Sequence, residues 1–141
     1  MTPRTEENIR KSFAAQAMMT TLGATLVSVA PGEVEIAAPI LESSRQQHGF
    51  AHAGLTFAIG DSAAGYAALS TMPEDCEVLT AEMKINLLAP GGGDGLIARG
   101  RVIRPGRRLV VVQADVFALR DGAETHIALL TGTMVPVASG R

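Results

Sequence analysis

The sequence has no tryptophan, one tyrosine and four phenylalanines. Aromatic platforms on which bases could stack are therefore scarce. Basic runs are missing too: twelve Lys and Arg stand against fourteen Asp and Glu, for a formal net charge of −2. That balance excludes the electrostatic footprint of a nucleic-acid binder. The single cysteine, Cys76, cannot close an internal disulfide, which suits a reducing compartment. The opening residues, MTPRTEENIRKSF, lack the apolar core of a secretory signal. The longest apolar stretch carries Asp61 in its middle and is too short to span a bilayer. These absences predict a soluble, cytoplasmic protein with no nucleic-acid and no membrane partner.

What the chain does have is apolar residues, 47% against 18% charged, over 141 residues. That is enough for one domain, residues 1–141, to bury its own core. The stretch from His52 to Ser70, HAGLTFAIGDSAAGYAALS, organises the rest. It contains no proline and reads as a helix of about 19 residues, roughly 28 Å at 1.5 Å per residue. Gly54, Gly60 and Gly65 each cost about 0.5–1 kcal/mol there relative to alanine, so they are expected to mark places where another backbone comes close. At about 100° per residue, His52, Thr56, Tyr66 and Ser70 fall opposite Asp61. Its own face carries Gly54, Phe57, Ala58, Ala64, Gly65 and Ala68. A carboxylate on so apolar a face is costly unless it is exposed, paired or satisfied by a neighbouring amide.

Before this helix, Thr5–Met19 reads as a short amphipathic helix capped by Thr5. Leu22–Ala30 and Val34–Ala38 read as a hairpin across Pro31–Glu33. After it, Leu79, Ala81, Met83, Ile85 and Leu87 alternate with polar residues in the clearest strand of the chain. Gly91–Gly93 reads as a hairpin loop, since it lacks the following lysine and helix of a phosphate loop. Three further strands, Leu96–Ile103, Leu109–Leu119 and Thr125–Val137, are joined at Arg104–Arg107 and Asp121–Gly122. Six strands and one long helix predict an α+β fold with a mostly antiparallel sheet on that helix. Edge strands and the small-residue helix face both predict a homodimer or a dimer of dimers.

Chemistry converges at the start of the long helix. Its first backbone N–H groups, those of Ala53 and Gly54, lack intrahelical partners and favour negative charge, the makings of an oxyanion hole. Asp61 can act as a base or nucleophile, and Gln46 or Gln47 can orient a water or a carbonyl. Asp61 lies too far along its helix to meet the same helix's start, so a composite site calls for a second subunit.

The run QQHGFAHAGLTFAIGDSAAGYAALS resembles the signature of the PaaI-type acyl-CoA thioesterases of the hotdog-fold superfamily. An amide residue, a Gly, a His-Gly-Gly and an Asp seven positions beyond recur there, and Gln46, Gly49, His52, Ala53, Gly54 and Asp61 occupy those places in register. The resemblance extends from Leu22 to Val137. It implies a hotdog fold, a six-stranded antiparallel sheet wrapped around one central helix, dimerising into a continuous sheet. It also implies hydrolysis of an acyl-CoA substrate without a cofactor or metal. Asp61 then matches the catalytic carboxylate, Ala53 the residue whose N–H polarises the thioester carbonyl, and Gln46 the amide that places water or substrate. His52 and Gly54 complete the motif, and Thr80 matches a Ser or Thr that lines the site in some members. Ala53 stands where the family has glycine, and Gln46 where asparagine is common.

Other residues are set against this reading. His48 and His52 could share a metal only if both were helical, and no third ligand follows. His126 is expected to be packed or exposed, and Cys76 beside Glu74, Asp75 and Glu77 to be an unreactive thiol. Lys84, Arg104, Arg107 and Arg108 are either a solvated turn or ligands for the phosphates of coenzyme A. A hotdog module that holds acyl-CoA without turnover is the rival function. A dehydratase of the same fold ranks below it, because here the helix carries the acid and His52 lies on the far face.

Overall fold

Thr2, with Pro3 behind it, starts the first helix in the computed structural model, which describes residues 1–139. The last two residues of the expected domain, Gly140 and Arg141, lie outside that range. The Thr2 side chain accepts the Thr5 N–H at 3.1 Å, so Thr2 and not Thr5 is the cap of α1 (Pro3–Ala15). The expected helix to Met19 is broken at Gln16, whose φ −75° and ψ 101° are extended. A second helix, α2 (Ala17–Leu22), follows and ends on Gly23 at φ 69°, the left-handed position that glycine adopts freely. The strand expected from Leu22 therefore begins later, at β1 (Thr25–Ala30), and turns into β2 (Glu33–Pro39).

After a short 3-10 turn, Glu42–Ser44, the chain enters the long helix α3 (Ala53–Leu69). The strands β3 (Cys76–Leu87), β4 (Gly95–Pro105), β5 (Val110–Arg120) and β6 (Ala123–Ala138) follow. All pairings are antiparallel, in the order β1-β2-β4-β5-β6-β3. Among the described residues, no helix is long and apolar enough to cross a membrane. The loop Leu88–Asp94 is not the expected hairpin. It crosses from the β3 edge to β4, which lies between β2 and β5, and the Gly91 carbonyl accepts the Ala51 N–H at 2.8 Å.

The sheet wraps α3 with its inner face. Ile36, Ala98, Val116 and Ala128 form one fully buried row, and Val34, Gly100, Ala114 and Leu130 line up in the next. The close backbone approach expected at the helix glycines is found on the sheet instead. A Cβ on Gly100 would lie 2.4 Å from the carbonyl of Ala63, so glycine is what lets α3 settle onto β4. Gly60 makes room for the Leu130 side chain.

Two expected faces are corrected by the structure. Thr56 and Ser70, assigned to a polar side of α3, are buried; the Ser70 hydroxyl accepts the Gly32 N–H and donates to the Ala67 carbonyl. The open side is the first half of the acid's own, where Phe57 is 37% exposed, while Ala64, Gly65 and Ala68 on the same face are buried. In β3 a bulge between Thr80 and Glu82 inserts Ala81, and one inserted residue reverses which face each side chain takes. Met83 and Ile85 pack on the core, while Leu79 is 55% exposed and Thr80, paired with Met134, takes the inner face.

The outer face carries charge. Arg99 donates to Glu35 and, with two bonds, to Glu124, and its guanidinium sits 4.9 Å from the Phe117 ring centre. His126, exposed at its outer side, stacks on that ring and places Nε2 3.0 Å from Asp115.

Candidate active site

The loop before α3 is built to present the helix start. Gln46 donates its backbone N–H to Phe50 and accepts that of Gly49, which turns at φ 86°. The Gln46 side-chain oxygen accepts the His48 N–H, leaving the amide nitrogen with no partner among the described residues. Ala51 and His52 donate to Gly91 and Ser44, so neighbouring segments fix the point where the helix begins. His52 is the N-cap: its Nδ1 accepts the Gly54 N–H at 2.8 Å. Nδ1 is thus the ring nitrogen that acts as acceptor. A Cβ on Gly54 would lie 3.0 Å from Nδ1, which explains glycine there.

Leu55 and Thr56 give their N–H groups to the His52 carbonyl. Of the two amides expected to be free, the Gly54 N–H is therefore spent on the cap. The Ala53 N–H has no acceptor among the described residues. Ala53 lines a cleft of about 630 Å³ together with Gln46, His48, Phe50, His52, Thr56 and the segment Leu87–Gly91.

Asp61 is not in that cleft. It lines a depression of about 160 Å³ with Gln16, Ser62, Gly65, Tyr66, Val78 and Thr80. The Thr80 hydroxyl donates to Asp61 Oδ1 at 2.8 Å. The carboxylate is thus neither fully exposed nor satisfied by an amide; it is half-buried and held by a hydroxyl. Burial pushes its pKa above the ordinary carboxylate value, and the Thr80 bond offsets part of that rise. Ala53 and Asp61, eight residues apart on one helix, are separated by about 12 Å along its axis. One chain therefore holds the two halves apart.

Gln16 was not singled out from the sequence, and Tyr66, expected opposite Asp61, lines the acid's own depression instead. The Tyr66 hydroxyl accepts from Gln16 Nε2 at 2.7 Å, lies 3.0 Å from the Ser12 hydroxyl, and meets the Phe13 ring edge-on. This clips the N-terminal helices over the acid's depression. The available signal was a lone tyrosine in an Ala/Gly-rich helix, whose buried hydroxyl needs a partner. Phe50 was missed because nothing in its spacing distinguishes it from core.

The remaining nominated residues lie elsewhere. Lys84 is exposed on the outer face of β3, in register with Thr131. Arg107 and Arg108, with Arg104 at the end of β4, project at the exposed turn into β5, and none of these four lines either depression. The Cys76 thiol is raised by burial and by Asp75. His48 sits in the turn and His52 caps the helix. Among the described residues, no three His, Cys, Asp or Glu gather as a metal set.

An antiparallel six-stranded sheet wrapped on one long helix defines the hotdog class. The model of the thioesterase superfamily matches residues 48–124. A thioesterase family protein from Silicibacter pomeroyi is 44% identical, with TM-score 0.93 over 96% of this chain and 99% of that one. The E. coli PaaI protein, from the phenylacetic acid degradation operon, superposes with TM-score 0.84 over 96% and 95% of the two chains at 21% identity, a likeness of fold. A mutant of the phenylacetic acid degradation protein PaaI from Thermus thermophilus is 27% identical, with TM-score 0.72 over 84% of this chain and 96% of that one. The chain belongs to the thioesterase superfamily, and its class is that of thioester hydrolases.

Proposed function

We propose that the protein hydrolyses acyl-CoA thioesters at a site shared by two copies of the chain. Asp61 of one protomer and the Ala53 N–H of its partner would face the same thioester carbonyl. Asp61 takes a proton from water, and the water oxygen bonds to the carbonyl carbon. The Ala53 N–H stabilises the resulting oxyanion. Collapse breaks the C–S bond, and the departing thiolate takes the proton from Asp61, giving free acid and coenzyme A. The Gln46 amide nitrogen is suited to orient the water or the carbonyl. In the nucleophilic variant, the Asp61 carboxylate bonds to the carbonyl carbon and expels the coenzyme A thiolate; water then opens the mixed anhydride to free acid and the Asp61 carboxylate, its remaining proton going to the thiolate.

One observation carries this reading: the free donor and the proton-hungry acid occur in separate depressions of one chain, about 12 Å apart along α3. Pairing of β3 edges across a two-fold axis, which would also cover the exposed Leu79 and Leu87, supports the dimer the site requires. The single cysteine supports a reducing, cytoplasmic setting.

The test is thiol release from a panel of aryl and medium-chain acyl-CoAs. The wild-type protein should turn over at least one of them, and Asp61→Ala should lower kcat/KM about a thousandfold. Equal rates for the two proteins, or binding without turnover by the wild type, would replace the hydrolase with a non-catalytic acyl-CoA holder.

A further inference from the structure

We propose that Phe50 and Arg120 form a subsite for the adenosine phosphate end of coenzyme A, beside the cleft of Gln46 and Ala53. The inference rests on the acyl-CoA reading and names where the nucleotide goes. Phe50, 39% exposed, and Pro90 line that cleft and also a neighbouring one of about 400 Å³. Gly92, Ala118, Arg120, Ala123 and Thr125 complete the neighbour. The two spaces therefore adjoin along Phe50, and a long ligand seated at Ala53 can continue past it.

The second space has the groups a phosphorylated nucleoside needs. Arg120, at the end of β5, is exposed and holds no carboxylate among the described residues, unlike Arg99 and Arg101 on the same sheet. The backbone beneath it is glycine, at Gly93 for a steric reason. A Cβ on Gly92 would lie 3.0 Å from Arg120 Nη2 and 3.5 Å from the Phe50 ring. A Cβ on Gly93, at φ 105°, would lie 2.3 Å from the Leu119 carbonyl oxygen. The Gly92 and Gly93 N–H groups have no acceptor among the described residues. A fork of guanidinium donors above free loop amides suits a phosphate, and an open aromatic face suits a purine.

Calorimetric titration with coenzyme A, dephospho-coenzyme A and pantetheine tests this without requiring turnover. Arg120→Ala should weaken coenzyme A about tenfold and leave pantetheine unaffected. A smaller loss with dephospho-coenzyme A identifies the ribose 3′-phosphate as the group held, and an equal loss identifies the diphosphate. Phe50→Leu should weaken coenzyme A and its dephospho form alike. No measurable coenzyme A binding by the wild type, unchanged affinity in both variants, or an equal loss with pantetheine overturns the subsite. Binding that depends on Arg120 without thiol release upholds the subsite and overturns the hydrolase. Turnover abolished by Asp61→Ala, with coenzyme A affinity indifferent to Arg120, does the reverse.

Discussion

Two neighbours pull the Asp61 carboxyl in opposite directions: burial disfavours its charge and the Thr80 hydroxyl favours it, with burial the larger. A general base works ionised, so its rate falls as pH drops through its pKa. The acid limb of kcat/KM is therefore expected above the range of an exposed aspartate, about 3.9. Thr80→Val keeps the shape and removes the donor, so the pKa climbs and the limb moves to higher pH. A pH–rate profile of the two proteins decides it; a limb that stays put, or moves to lower pH, contradicts the arrangement. The acid and the helix start could be read from the sequence because they lie within one continuous run, Gln46 to Asp61, where spacing alone places them. Tyr66 and Gln16 could not, since their bond joins residues fifty apart in sequence and no periodicity reports on it.

At the scale of elements, the packing of α3 on β4 depends on Gly100. Gly100→Ala forces a methyl carbon to within 2.4 Å of the Ala63 carbonyl, where helix or strand has to move. Overpacking of that kind costs about 2 kcal/mol, or about 5 °C in Tm for a domain this size. Thermal unfolding measures it, and an unchanged Tm would show that the contact has slack. The long helix and all six strands follow the sequence pattern to within three residues at each end, because period and turn chemistry are local properties. What the pattern missed is non-local. The β3 bulge inverts the face of Leu79 and Thr80, and bulges leave little trace in composition. The break at Gln16 looks like helix interior until Tyr66 is there to hold its side chain. The Gly91–Gly93 loop was misread because hairpin and crossover share the same glycine chemistry.

At the scale of the whole molecule, a shared site makes two inactive proteins complementary. Asp61→Asn removes the base. Ala53→Pro removes the N–H at the first helical position, where proline is tolerated, and His52 before it, at ψ 141°, already has the extended backbone that precedes proline. Each variant alone should be inactive. Unfolded and refolded together, they should regain about one quarter of wild-type activity per site, since half of the dimers are mixed and each mixed dimer has one intact site of two. No recovery in mixtures that form dimers would place both groups in a single chain. The clip at Tyr66 has a consequence at this scale too. Of the first sixteen residues, Gln16 lines the depression that holds Asp61, bonded there to the Tyr66 hydroxyl. Substitutions at Gln16 can thus change how far that depression opens to water, and with it the burial that raises the acid's pKa, while the sheet and the long helix stay as they are.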